Sequence, residues 1–154
     1  EARVREVLAF LNLSDKADLL VRTFSGGMIR KMEIGQAMLH RPRVLFLDEP
    51  TTGLDPVARQ NIWQHLLQLR NDFGVTIFFS THYMDEAEAA ADRVAIMNQG
   101  RIAVIGTSAE LKAEAGKPGA TLEDAFIHFT GSQLETGGNF RDTRRARRMQ
   151  TRLG

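Results

Sequence analysis

The 154-residue sequence contains no cysteine, which excludes disulfide bonds and thiolate chemistry. It has no excess of one charge, since 20 Lys and Arg side chains stand against 19 Asp and Glu for a formal net charge of +1. No overall field therefore points to nucleic acid, and no nucleic-acid partner is expected. No apolar run approaches the roughly 20 residues that a membrane-spanning helix needs. With 43% hydrophobic residues, the chain can form one globular domain with a core of its own.

Two short apolar runs without alternation, "VLFL" at 44–47 and "VTIFFST" at 75–81, are typical of strands buried on both faces of a parallel sheet. Two further strands are predicted within 93–106, around an Asn98-Gln99-Gly100 turn. Helical patterns separate and flank the strands, at 3–13, 28–40, 57–73, 83–91, 107–114 and from Thr121 onward. Strands that alternate with helices predict an α/β fold, in which ligands bind beyond the carboxyl ends of the strands.

The stretch "FSGGM" at 24–28 places two glycines at the start of a predicted helix. Free N–H groups and the positive end of the helix dipole favour an anion there, and glycines let a phosphate approach closely. Ser25, Gly26 and Gly27 are therefore candidate phosphate ligands. The alternative is a flexible loop with an N-cap.

An acidic pair follows the first buried strand. Asp48 is a candidate Mg²⁺ ligand, because Mg²⁺ keeps several waters and needs only one or two protein carboxylates. Glu49 is a candidate to position or deprotonate an attacking water. The alternative is a solvated acidic turn.

Two more polar residues lie beside predicted element ends. Asp55 precedes Pro56 and a helix, where it is expected to act as an N-cap. His82 ends the second buried strand, where it is a candidate contact for a terminal phosphate. For His82 a purely structural role is the alternative.

Over residues 1–131 the sequence resembles the ATP-binding cassette (ABC) ATPase family. The resemblance lies in the order of the motifs, which is "SGG", a helix, "VLFLDEPTTGLDP", a helix and "TIFFSTHYMDEAE". The resemblance implies a partial P-loop NTPase-like α/β cassette with a parallel sheet core and flanking helices. Residues 1–42 would end the helical signature subdomain, and 43–131 would run from Walker B through the switch to the C-terminal elements. Residues 132–154 would form a basic tail.

In this family two cassettes sandwich two ATP molecules head to tail. The resemblance implies that Ser25, Gly26 and Gly27 form the signature and touch a γ-phosphate held by a second cassette, in a homodimer or heterodimer. It assigns the remaining roles as follows: Asp48 the Walker B Mg²⁺ residue, Glu49 the catalytic glutamate, Asp55 the D-loop aspartate and His82 the switch histidine.

The signature departs from the family pattern, since Phe24 and Met28 replace the usual Leu and Gln. "SGGM" followed by Ile29-Arg30-Lys31 resembles the branch of daunorubicin-type and multidrug exporters. That branch implies a separate ABC-2 type permease and a position on the cytoplasmic face of the membrane. It also implies export of a drug-like or lipid-like substrate.

A phosphate-binding loop of the form G-x-x-x-x-G-K-[ST] is missing from the 154 residues. At the only Gly-Lys pair, Gly116-Lys117, Leu111 stands in the place of the first glycine and Pro118 in that of Ser or Thr. The chain therefore resembles the C-terminal part of a cassette, and weak or absent ATP binding by the chain alone is expected. Exposed apolar edges and marginal stability are expected with it.

Alternative functions stay open at this point. One is an ABC ATPase without transport, in DNA repair or on ribosomes, and another is a non-hydrolysing interaction module. The tail carries six arginines within 141–152, which favours a solvated linker, with binding to anionic lipid as the alternative.

Overall fold

The computed structural model describes residues 1–131, so the arginine-rich tail predicted at 132–154 lies outside the described residues. The elements are α1 (Ala2–Phe10), α2 (Gly26–Met38), β1 (Val44–Asp48), α3 (Pro56–Phe73), β2 (Thr76–Ser80), α4 (Met84–Ala90), β3 (Val94–Asn98), β4 (Arg101–Gly106), α5 (Ser108–Glu114) and α6 (Leu122–Thr130). Two short 3-10 turns, Ser14–Lys16 and Val21–Thr23, occupy the polar stretch before α2. Across the described residues, no helix combines the length and the apolar character needed to cross a bilayer.

The first compact unit, Glu1–Ala90, contains the parallel strand pair that the sequence predicts. Strands β1 and β2 pair directly, with Val44 opposite Thr76 and Asp48 opposite Ser80. The carboxyl ends of both strands therefore meet at one edge of the sheet. The prediction of a parallel α/β arrangement is confirmed.

The hydrophobic core of this unit lies between α1, α2, α3 and one face of the sheet. The spacing of Val4, Val7, Leu8 and Leu11 predicts one apolar stripe on α1. This prediction is only partly right, because Val7 and Leu11 are buried whereas Val4 is 47% exposed. In α2 the core face centres on Ile34 and Met38. The sequence predicts a line of Met28, Met32 and Leu39 on this helix, and Met28 and Leu39 do pack, half-buried, at the margin of the core. Gly35 lies close to α1. A methyl group added at Gly35 would lie 2.7 Å from Leu11 Cδ1.

Burial of the two strands on both faces, which the apolar runs predicted, is wrong. Leu45 is buried, but Phe46 is 74% exposed and Phe78, its partner across the strand pair, is 62% exposed. Their ring centroids lie 5.5 Å apart. Within this unit helices cover one face of the two-stranded sheet, so every second side chain points away from the core. The expected exposed apolar surface is present, on a face of the sheet.

The second compact unit begins at Ala91. Strands β3 and β4 form the predicted antiparallel hairpin. Gln99 and Gly100 both have positive φ, 50° and 75°, as a two-residue type I′ turn requires. Helices α5 and α6 each begin with a capping box, formed by Thr107 with Glu110 and by Thr121 with Asp124. The subdivision of the chain at residues 42 and 43 stays a prediction.

Candidate functional site

The carboxyl ends of β1 and β2 carry a hydrogen-bonded group of polar residues. The Ser80 hydroxyl donates to Asp48 Oδ1. The same hydroxyl oxygen accepts from the backbone N–H of Glu49 at 3.1 Å, and the Ser80 carbonyl lies 3.2 Å from that nitrogen. Sequence reasoning did not select Ser80. The sequence signal that could have found it is its position at the end of the second apolar run, since the structure pairs Ser80 with Asp48 at the end of the first.

The Glu49 side chain is held at both oxygens. Oε2 accepts from the Thr52 hydroxyl at 2.9 Å, and Oε1 lies 3.1 Å from His82 Nδ1. The hydrogen bond from His82, followed by the one from Thr52, lowers the pKa of Glu49 below its usual value. Glu49 is therefore an ionised and oriented carboxylate at neutral pH. Thr52 is a second residue that sequence reasoning missed.

His82 remains accessible while it contacts Glu49. Its side chain is 45% exposed. Its ring packs against the ring of Tyr83, with centroids 4.2 Å apart. A histidine buried in the core, the usual structural role, does not fit this exposure. The ring is placed where it could reach a ligand bound at the strand ends.

Asp48 is exposed at the end of β1, with one carboxylate oxygen engaged by Ser80. Within residues 1–131, no group of three or more His, Cys, Asp and Glu side chains could hold a metal ion by itself. This donor set fits Mg²⁺, which completes its coordination with waters and phosphate oxygens. Asp48 is the residue that would hold such an ion together with a bound phosphate.

The stretch with two glycines opens α2. The helix begins at Gly26, two residues earlier than predicted, and Ser25 is its N-cap with Oγ 3.4 Å from the Met28 nitrogen. A methyl group added at Gly27 would lie 3.0 Å from Ala58 Cβ, whereas at Gly26 its nearest neighbour would be a Leu54 carbon at 3.6 Å. Close packing against Ala58 thus explains why residue 27 is a glycine. It does not explain Gly26, which is exposed.

Asp55 caps α3, as the sequence predicts. Its Oδ1 accepts from the backbone N–H groups of Val57 at 3.0 Å and Ala58 at 2.9 Å, with Pro56 as the first helical residue. The neighbours of the two glycines, Leu54 and Ala58, flank this cap. The structure therefore brings the start of α2 next to the Asp55 turn. The roles that the sequence gives Ser25, Gly26, Gly27 and Asp55 toward a nucleotide stay predictions.

Comparisons with known proteins agree with these motifs. A family model described as ABC transporter matches residues 1–52. The linearmycin resistance ATP-binding protein LnrL of Bacillus subtilis is 42% identical over 114 residues, which cover 74% of this chain and 36% of that protein. The daunorubicin/doxorubicin resistance ATP-binding protein DrrA of Streptomyces peucetius is also 42% identical over 114 residues, covering 74% of this chain and 34% of DrrA. By these comparisons the chain is similar to the ATP-binding proteins of ABC transporters. It spans about a third of the length of these relatives.

The fold comparison confirms the cassette architecture. A crystal structure of a nucleotide-free ATP-binding cassette from an ABC transporter matches this chain with a TM-score of 0.70 and 28% sequence identity. The match covers 80% of this chain and 48% of that one. The resemblance to the exporter branch is supported by LnrL and DrrA, whose names state linearmycin resistance and daunorubicin/doxorubicin resistance.

Proposed function

We propose that this chain supplies the signature, magnesium and water-positioning part of an ATP-hydrolysing ABC subunit. The geometry of Glu49 carries the proposal, because Thr52 and His82 hold this ionised carboxylate beside Asp48. A carboxylate fixed in this way can orient and deprotonate a water molecule. Asp48 would hold Mg²⁺, and the exposed ring of His82 would contact the terminal phosphate of ATP. ATP and Mg²⁺ are the cofactors that the proposal requires.

The proposed partners are a second cassette and a membrane permease. In a head-to-tail dimer, Ser25, Gly26 and Gly27 would face ATP phosphates held by the other cassette, and the exposure of Gly26 at the start of α2 supports such an approach. The proposed activity is export of a drug-like or lipid-like substrate, and the resistance stated in the names of LnrL and DrrA supports the drug-like one. The permease would be of the ABC-2 type, with the cassette on the cytoplasmic face of the membrane.

The 154 residues contain no phosphate-binding loop, so the proposal assigns the phosphate cradle to residues outside this chain. Titration of the chain with Mg-ATP in a calorimeter tests this assignment. No detectable binding is expected, since the backbone N–H groups and the lysine that cradle phosphates are missing. Tight, Mg²⁺-dependent binding would contradict this account of the site.

The role of Glu49 can be tested by measuring kcat for ATP hydrolysis in the ABC subunit that contains this chain. We expect E49Q to lower kcat by about 100-fold or more, because general base catalysis contributes roughly 10²–10⁴-fold. The matched control is D85N, which removes one carboxylate charge from an exposed position on α4. Unchanged kcat in E49Q would contradict the proposed role. A wild-type subunit that binds ATP without hydrolysing it would favour the non-hydrolysing interaction module.

A further inference from the structure

Glu86 is a buried carboxylate close to the candidate site, and its side chain has no part in the function proposed above. It lies in the first turn of α4 and is 4% exposed. Both of its oxygens accept hydrogen bonds from threonine hydroxyls. Oε1 accepts from Thr51 Oγ1 at 2.5 Å, and Oε2 accepts from Thr81 Oγ1 at 3.0 Å.

The two threonines belong to the two segments that carry the site. Thr51 follows Glu49 by two residues, and Thr81 directly precedes His82. The carboxylate of Glu86 therefore bridges the segment after β1 and the segment after β2. A hydroxyl has a single proton to donate, so both bonds form as observed only when each oxygen of residue 86 can accept.

Arg59 supplies the counter-charge for this buried carboxylate. Its Nε lies 3.5 Å from Glu86 Oε1, and its guanidinium carbon lies 4.1 Å from the centroid of the Tyr83 ring. The backbone N–H of Tyr83 donates to Thr81 Oγ1 at 3.0 Å. The residues on either side of His82 are thus both tied to the Glu86 and Arg59 pair. The Glu86 side chain is buried, whereas that of Arg59 is 26% exposed. Removal of Arg59 would therefore leave the buried carboxylate of Glu86 without its counter-charge.

We propose that Glu86 is a positioning residue, which holds the Thr51 and Thr81 segments together and thereby sets the contact between Glu49 and His82. Glu86 lies outside the hydrophobic cluster that holds α1, α2 and α3 together. Loss of the bridge is therefore expected to loosen the site while that cluster stays packed. The effect on catalysis rests on the proposed ATPase function, whereas the effect on the contact itself does not.

The contact can be measured in the 154-residue chain by NMR at one fixed pH. E86Q keeps the volume of the side chain but replaces one acceptor oxygen with a donor NH₂ group. We expect the ring resonances of His82 to move toward their positions in E49Q, which changes the contact directly. D85N, the same loss of charge at an exposed position on the same helix, should leave these resonances in place.

A second pair of variants covers the case in which E86Q does not fold. T51V removes one hydroxyl and keeps a similar shape, so it should displace the His82 resonances as well. T51S keeps the hydroxyl and should restore the wild-type positions. Wild-type His82 resonances in a folded E86Q or T51V chain would overturn the proposal.

Kinetics in the ABC subunit that contains this chain give a second readout. We expect E86Q to lower kcat for ATP hydrolysis by about 10-fold to 100-fold, since misplacement of a catalytic group by about 1 Å can cost roughly 10²-fold. The KM for ATP should stay within about twofold, because Glu86 touches no nucleotide in this scheme. Equal kcat for E86Q and wild type would overturn the positioning role. A wild-type subunit without ATPase activity would contradict the proposed function, and the NMR comparison would still decide the role of Glu86.

Discussion

Glu49 is held in a left-handed backbone conformation by Ser80 on the neighbouring strand. Its φ is 45°, and its N–H points to Ser80 Oγ at 3.1 Å and to the Ser80 carbonyl at 3.2 Å. Such a conformation costs a residue with a Cβ atom about 1–2 kcal/mol. The side chain nevertheless makes both of its contacts from this position. Backbone strain of this kind is concentrated at functional sites, where surrounding contacts maintain it.

The strain at Glu49 can be measured by comparing two variants that both remove its carboxylate. We expect E49G to be more stable than E49A by about 1 kcal/mol, because glycine adopts positive φ without a Cβ clash. Urea denaturation of the chain gives the two free energies of unfolding.

The same pair of substitutions at Glu123, in the first turn of α6, provides the control. There the order should reverse, since alanine is favoured over glycine in a helix by about 1 kcal/mol. If E49G and E49A are equally stable, a Cβ atom at residue 49 carries no conformational cost, and the predicted strain is contradicted.

The two glycines at the start of α2 should respond differently to alanine. G27A places a methyl group 3.0 Å from Ala58 Cβ, whereas G26A meets only an ordinary contact at 3.6 Å. Overpacking costs roughly 1–3 kcal/mol, so we expect G27A to be less stable than G26A by about 1–2 kcal/mol. Thermal and urea unfolding check this order.

The G26A variant then allows an effect on ligand binding to be distinguished from an effect on packing. Because it folds normally in this scheme, a loss of ATPase activity in the subunit would be due to the exposed face of Gly26. Normal activity of G26A would contradict a close approach of phosphate to this residue. Equal stability of G26A and G27A would contradict the packing explanation for Gly27.

The sequence was sufficient for the order of the elements and for the edge of the sheet at which Glu49 and His82 meet. Unbroken apolar runs that end in Asp48 and His82 predicted two parallel strands, and parallel strands bring their carboxyl ends to one edge. Proximity of Glu49 to His82 follows from that geometry, and the 3.1 Å contact confirms it. The cap at Asp55 depends on neighbours two and three residues away, which is why local sequence was enough to predict it.

Features that depend on distant partners were not predicted. The positive φ of Glu49 depends on Ser80, which lies 31 residues away in the sequence. The exposure of Phe46 depends on which face of the sheet the helices cover, and an apolar run is the same in either case. Likewise, nothing local in "SGG" shows that Gly27 packs on Ala58. Side-chain contacts across the sheet thus required the structure.

The exposed phenylalanine pair on the sheet should matter more for association than for folding. Phe46 and Phe78 are 74% and 62% exposed, with ring centroids 5.5 Å apart. We expect F46T and F78T each to lower the free energy of unfolding by about 1 kcal/mol or less, since an aromatic pair contributes roughly 0.5–1.5 kcal/mol. Both should reduce self-association, because contiguous apolar surface drives it.

Sedimentation velocity and binding of a hydrophobic dye check the effect on association. L45A serves as the buried control on the same strand, where we expect a loss of about 2–5 kcal/mol. If F46T destabilises the chain as much as L45A does, the phenylalanine face is packed in solution and the description of this face is wrong.

Asp124 should make the start of α6 sensitive to acid. Its pKa is lowered to about 2, first by the hydrogen bond from the Thr121 backbone N–H and then by the Lys117 ammonium and the Thr121 hydroxyl. The folded pKa lies below the ordinary value of 3.8. The stabilisation is therefore complete above pH 3.8 and is lost as the pH falls through about 2. A carboxyl ¹³C titration by NMR should give a midpoint near 2 for Asp124.

Amide exchange in α6 provides the matching structural measurement. D124N removes the charge of residue 124 at every pH, whereas the wild-type carboxylate loses its charge only in acid. The difference in amide protection of α6 between wild type and D124N should therefore shrink as the pH falls from 4 toward 2. E123Q changes an exposed neighbour that takes no part in the capping box, and its exchange should follow the wild type. A titration midpoint near 3.8 for Asp124 would show that the Thr121 and Lys117 bonds do not persist in solution. In that case the capping box would not be what fixes the start of α6.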